Sequence, residues 1–178
     1  YIGLPALAAV TYYTLHLVGL APEMTAFDAI AHALTSVSTS GFSPRAESVG
    51  AFSPAVQWAV IPFMAVGATS FVLIYSVVGG DLSRVRKSEE FHFYLVILAG
   101  ISTVLVALLA VDTQFDGSTE ATVRHGIFQT VSIVTTTGYA STDFELWSAP
   151  AKQILLLCMF IGGMSGSTTC SIKTVRWL

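Results

Sequence analysis

Three stretches of the chain run without a single Asp, Glu, Lys or Arg: Tyr1 to Ala21, Val56 to Gly80 and Phe91 to Val111. A fourth, Ile154 to Ile172, is equally free of charge but is interrupted by glycine and hydroxyl residues. About 20 apolar residues suffice to cross the hydrocarbon core of a bilayer, so the pattern predicts four crossings. The first covers roughly Leu4 to Leu20, with Pro5 tolerable near its start. Ala55 to Val78, Phe91 to Val111 and Ala151 onward supply the others. Each pair encloses an apolar stretch too short to cross, Ala26 to Val37 and Glu120 to Val134. Asp28 near the start of the first suits the positive end of a helix dipole. Phe42 to Ser53 reads as a polar turn.

The order of crossing, short re-entrant helix, turn and crossing therefore occurs twice. Ser38-Thr39-Ser40-Gly41-Phe42-Ser43 is echoed by Thr135-Thr136-Thr137-Gly138-Tyr139-Ala140. Pro54-Ala55-Val56-Gln57 recurs as Pro150-Ala151-Lys152-Gln153, and Phe63 has a counterpart in Phe160. Such repetition marks two copies of one supersecondary unit. The expected fold is an all-α membrane protein with two helix–pore-loop–helix units in parallel repeat and a broken final helix. Its divisions are 1–80, a cytoplasmic loop at 81–90, and 91–178.

Composition agrees. Of 178 residues, 53% are hydrophobic and 11% charged, with a mean hydropathy of +0.71. Soluble domains carry about 25% charged residues. The chain begins at Tyr1 with no basic n-region, so it reads as an internal fragment without a signal peptide. Cys158 and Cys170 fit no disulfide framework or zinc spacing and read as small buried apolar residues. Arg84, Arg86 and Lys87 cluster in the 81–90 loop, and Lys173 and Arg176 follow the last apolar stretch. The other connections are acid-rich: Glu23, Asp28 and Glu47, then Asp112, Asp116, Glu120, Asp143 and Glu145, against only Arg45, Arg124 and Lys152. The positive-inside rule puts the 81–90 loop and the C-terminal end in the cytoplasm and both turns outside. The acidic excess would concentrate cations there.

A cation leaving water needs oxygen ligands at close range, and rings of backbone carbonyls from extended segments supply them. Glycine permits the backbone angles that turn successive carbonyls toward one axis. Candidate ion-binding residues are Thr39, Ser40, Gly41 and Phe42 in the first turn, and Thr136, Thr137, Gly138 and Tyr139 in the second. Ser and Thr add hydroxyl oxygens, the aromatic wedges the turn, and the preceding helix C-terminus favours a cation.

The second unit also contains Gly162, Gly163, Ser165, Gly166, Ser167, Thr168 and Thr169 where its return helix should be mid-membrane. Glycines and hydroxyls disfavour continuous helix, and irregular backbone at this depth survives only when buried or lining a water-filled cavity. The expected role is a gate, with a small-residue packing surface as the competing reading. The matching stretch in the first unit, Val66 to Ser70, is less glycine-rich and is expected to stay helical. Enzyme readings fail: Ile172 precedes Lys173 where a phosphate loop needs Gly, and Ser167 replaces the last Gly of a nucleophile elbow.

On these residues the chain resembles the Trk/Ktr/HKT superfamily of potassium transporters, most closely the membrane-spanning subunit of Trk potassium uptake systems. The most specific match is Thr135 to Phe144 joined to Gly162 to Thr168, and Ser38 to Ser43 resembles the neighbouring filter segment. The resemblance implies a potassium-channel-like arrangement of four pore units, of which this chain holds the second and third, and the remaining two pore units belong to the same polypeptide. It implies Gly41 and Gly138 as filter glycines and 162–171 as an intramembrane gate loop. It also implies a multi-pass plasma-membrane protein in the lipid bilayer, a homodimer, and a cytoplasmic nucleotide-binding regulatory subunit. K+ is the transported ion; no other cofactor, no nucleic acid and no catalytic residue is expected. Two departures are visible: Thr168-Thr169-Cys170-Ser171 is poorer in glycine than the family loop, and Ser43 and Ala140 replace the last glycine of potassium-channel filters, which predicts a looser site.

The alternative is a secondary carrier binding its ion or substrate at the mid-membrane broken helix, but that architecture calls for inverted repeats. An intramembrane hydrolase using Ser165 or Ser167 lacks a base, and a scaffold needs no matched glycines. His32 aligns with Gln129, so no histidine ring is implied. His16, His32, His92 and His125 are read as structural. Asp143 and Glu145 either steer cations or face water. Trp58, Trp147 and Trp177 are expected as interfacial anchors.

Overall fold

The first unit opens with α1 (Gly3–Leu17) and α2 (Ala26–Val37). Thr25 starts α2 with a capping box: its side chain accepts from the Asp28 N–H, and Asp28 accepts from the Thr25 N–H at 3.2 Å. Two orphan donors are thereby satisfied reciprocally. A turn of 3-10 helix at Ser48–Ala51 precedes α3 (Pro54–Gly67), which has proline in its first turn, where no N–H is needed. After α4 (Phe71–Val78) and the short basic α5 (Ser83–Lys87), the second unit begins. It comprises α6 (Glu89–Val111), α7 (Thr119–Val134) and α8 (Ala149–Cys158). Ser88 caps α6 and Ser118 caps α7. The structure is a computed structural model describing residues 2–112 and 118–178; Tyr1 and the expected cation-attracting Asp116 lie outside them. Among the described residues the fold is all-helical, with one isolated bridge between Ile161 and Ile172.

α1 packs along α2, α6 along α7, and α3 against α7, which joins the two units. The main core gathers Tyr12, Met24, Val37, Phe52, Met64, Tyr94, Phe128, Tyr139 and Met164 from both units. A smaller core holds Leu105, Leu109, Trp147, Ala151 and Leu155. Trp147 is thus buried packing rather than an interfacial anchor. Cys170 is exposed, so only Cys158 fits the buried reading. Large apolar side chains such as Leu7, Val72, Tyr75, Val96, Leu156 and Phe160 stay exposed, as lipid-facing surfaces require.

Among the described residues, α6 alone is by itself long and apolar enough to cross a membrane; α3 and α4 pass the same test as a bent pair. The expected continuous helix through 66–70 is not observed. The chain breaks at 68–70 and bends by 105°, although Pro62 leaves the body of α3 intact. The cause is long-range. The Ala68 carbonyl accepts from the Met164 N–H at 3.0 Å, and the Phe71 N–H donates to the Gly166 carbonyl at 3.1 Å. Thr168 donates its hydroxyl to the Gly67 carbonyl at 3.1 Å. Backbone groups lost from the helical ladder are therefore satisfied by the second unit's broken helix.

Candidate ion-filter site

Both hydroxyl-Gly-aromatic turns close their helices with one bonding pattern. Ser38 N–H donates to Leu34, Thr39 to Ser36, and Ser40 and Gly41 both to Thr35. In the second copy Thr135 donates to Val131, Thr136 to Ile133, and Thr137 and Gly138 both to Ser132. Every partner is displaced by the same 97 positions (135 − 38). The backbone angles repeat as well: Thr39 has φ +51° and Thr136 +54°, Gly41 +68° and Gly138 +82°. A β-branched residue at positive φ is a genuine outlier, costing on the order of 1–3 kcal/mol unless its surroundings impose it. Two threonines held identically mark a conformation both units need.

The turns meet. A Cβ built on Gly41 would lie 1.8 Å from the Thr137 carbonyl oxygen, so only glycine allows this backbone approach. The Tyr139 hydroxyl pairs with that of Thr35 on α2 and donates to the His32 carbonyl at 3.4 Å. The Ala140 carbonyl accepts from the Gly50 N–H at 2.9 Å. On the other flanks the same positions are unpartnered: Phe42 is 77% exposed, and a Cβ on Gly138 would meet nothing within 4 Å. Phe42 therefore does not wedge its turn within this chain, whereas Tyr139 does.

Each turn is also anchored to its own helix. His32 Nδ1 bonds the Asp28 carbonyl at 2.8 Å and Nε2 bonds the Ser43 hydroxyl at 3.0 Å. In the second unit His125 bonds the Ser141 hydroxyl at 2.8 Å. The histidines serve different helical positions but the same purpose.

The 162–172 segment passes against the threonine end of both turns. Thr39 donates its hydroxyl to that of Thr168 at 3.0 Å, and the Cys170 N–H donates to the Thr136 hydroxyl at 3.0 Å. Gly162 N–H donates to the Ile172 carbonyl at 2.9 Å, and Gly163 N–H to the Thr169 hydroxyl at 3.1 Å. Gly163 lies against Ala68, where a Cβ would come within 2.6 Å of the carbonyl oxygen. Ser165 binds Glu90 through its backbone, Gly166 accepts from Phe71, and Ser167 donates to the Met164 carbonyl at 2.6 Å. Lys173 donates to the Thr169 hydroxyl at 2.9 Å and to its carbonyl.

Two charged clusters stabilise the other side of the turns. Asp28 accepts from Arg45 Nη2 at 2.5 Å and Nε at 3.1 Å. The Arg45 side chain holds the Asp28 carboxyl down at about 2. Buried Arg124 donates to Glu120 at 2.9 Å and to the Gln57 side-chain oxygen on α3, and Trp58 donates to Glu120 at 2.8 Å. Hydrogen bonds from Arg124 first, then Trp58, lower the Glu120 pKa. Asp143 N-caps a 3-10 turn through its bond from the Glu145 N–H at 3.0 Å.

Among the described residues no His/Cys/Asp/Glu group is arranged to hold a metal ion. Sequence reading missed Thr35, Gln57, Arg124 and Glu90. Glu120 and Arg124 stand four apart, the spacing of a helical ion pair, and could have been found. The others act across elements and leave no local signal.

Comparison with known proteins is consistent with this geometry. The TrkH family model, described as a cation transport protein, matches residues 1–178. The Trk system potassium uptake protein TrkI of Halomonas elongata is 36% identical, over 99% of this chain and 34% of that protein. The Trk system potassium uptake protein TrkH of Escherichia coli is 30% identical, over 87% of this chain and 32% of that protein. The crystal structure of the potassium transporter TrkH from Vibrio parahaemolyticus superposes with a TM-score of 0.89 at 32% identity, covering 99% of this chain and 37% of that one. The chain spans about a third of the length of the curated relatives it matches.

Proposed function

Because the chain belongs to the TrkH cation transport protein family, we propose that it forms two of four pore units of a potassium uptake protein. Transport is gated permeation across the plasma membrane, with no covalent chemistry. The observation that carries this reading is the paired turn: two Ser/Thr-Gly-aromatic segments with repeated positive-φ threonines, touching at Gly41 and Thr137. Carbonyls and hydroxyls of residues 39–42 and 136–139 would replace part of the hydration shell of K+. The C-termini of α2 and α7 direct partial negative charge to the same place.

The unpartnered flanks support the four-unit ring. Tyr139 and Gly41 pack across the contact between units, while Phe42 and Gly138 await the same contacts from the missing units. The 162–171 loop is the gate, since it touches both Thr39 and Thr136. The 81–90 loop and the C-terminal end face the cytoplasm, where a nucleotide-binding regulatory subunit engages a homodimer.

The test uses the full-length protein in liposomes. Gly138→Ser alters the ratio of potassium to sodium flux more than the amount of folded protein; an unchanged ratio removes the filter assignment.

A further inference from the structure

Glu90 stands in the first turn of α6, yet its side chain belongs to the gate loop. Its Oε1 accepts from the Ser165 N–H at 2.6 Å and from the Thr174 hydroxyl at 2.9 Å. Ser165 lies on the outgoing limb of the loop and Thr174 follows the returning one. A single carboxylate oxygen thus ties both limbs to a long, regular helix. Thr174 is fully buried, and its N–H donates to the Gly163 carbonyl at 3.1 Å.

The opposite side of the loop is held by neutral bonds, from Thr39 to Thr168 and from Cys170 to Thr136. Charge-assisted bonds are roughly twice as strong as neutral ones. Lys173 braces the loop from inside, donating to the Thr169 hydroxyl. Among the described residues, Glu90 is the charged group that fixes the loop to a neighbouring helix.

We propose that Glu90 is the positioning residue that latches the 162–172 loop across the ion path. The inference rests on the gate reading above. Without this carboxylate both limbs lose their shared anchor, and the loop spends more time away from the filter. Ion affinity at the filter is untouched, because Glu90 contacts neither turn.

The test compares full-length variants in liposomes by rubidium flux at saturating concentration, per folded molecule. Glu90→Ala removes both charge-assisted bonds and raises maximal flux at least about tenfold, the population shift that losing even one of them would give. Half-saturation and the potassium-to-sodium ratio stay at wild type. Glu90→Gln, whose amide oxygen still accepts from both donors but without the charge, gives a flux between wild type and Glu90→Ala. Thr174→Val, which removes one donor, raises flux in the same direction and decides the matter if Glu90→Ala fails to fold. Deletion of residues 165–167 is the control for the gate itself. A raised flux on deletion with no rise in Glu90→Ala or Thr174→Val overturns the latch and leaves the gate. Unchanged flux on deletion overturns both.

Discussion

Tyr139, at the end of the second turn, shares its hydroxyl with Thr35 on the helix that leads into the first. The bond crosses from one repeat to the other, so the geometry of each turn depends on its neighbour. Tyr139→Phe removes it and leaves the Thr35 hydroxyl only the Ala31 carbonyl, at 2.8 Å. The expected loss is about 0.5–1.5 kcal/mol, with a lower potassium-to-sodium flux ratio. A double-mutant cycle with Thr35→Val in the full-length protein gives a coupling of at least about 0.5 kcal/mol; additive effects exclude the pairing.

The glycines of the two turns differ in what a methyl group would strike. Both have positive φ, so Ala is strained at either. Gly41→Ala also drives a carbon into the Thr137 carbonyl. It reduces the yield of folded full-length protein as well as selectivity, measured by size-exclusion recovery and flux. Gly138→Ala, where a Cβ meets nothing within 4 Å, loses less yield than Gly41→Ala and acts mainly on the flux ratio.

The Asp28–Arg45 pair sets an acid limit on the first unit. The folded carboxyl lies at about 2, below the ordinary aspartate value of about 3.9. A depressed folded pKa contributes stability above the unfolded value that is lost as pH falls through the folded one. Thermal melting of the purified protein therefore loses this contribution between about pH 4 and pH 2. Arg45→Ala leaves a buried carboxylate without its cation and moves the loss to higher pH. An identical acid profile in the variant contradicts the assignment.

Gln57 and Arg124 join α3 to α7 inside the protein. Gln57→Leu deprives a buried guanidinium of one acceptor, and leaving such a group unsatisfied costs about 1–3 kcal/mol. Glu120 remains to hold Arg124, so the protein folds with a lower melting temperature. Trp58→Phe removes only a bond on a half-exposed surface and costs less than the Gln57 change by the same thermal-shift measurement.

The helices that precede the turns were the most legible elements in the sequence. Ala26 to Val37 is matched at both ends, and Glu120 to Val134 differs from the observed helix by one residue. Thr25 with Asp28 and Ser118 with Ala121 act within one turn of chain, so their signal is local. The break at 68–70 was illegible because its partners lie at 164–168. Phe42 and Tyr139 hold equivalent places in sequence but opposite environments, since the chain carries a neighbouring unit on one side of each turn. Trp147 shows the converse limit: an indole near a helix end suits both an interface and a core, and only the packing of Leu105, Leu109 and Leu155 decides.

The bend after α3 carries a consequence for biosynthesis. The Ala68 carbonyl and the Phe71 N–H pair with Met164 and Gly166, nearly a hundred residues later. At roughly 5–20 residues per second, the nascent first unit waits several seconds in the bilayer before those partners exist. During that interval a straight helix through 66–70 is the cheaper state for an unsatisfied backbone in lipid. Arrival of the second unit then draws the helix into its bend. The expected maturation is a folding-back of what has already been inserted: a ribosome stalled before residue 164 should leave a first unit straighter than the finished one.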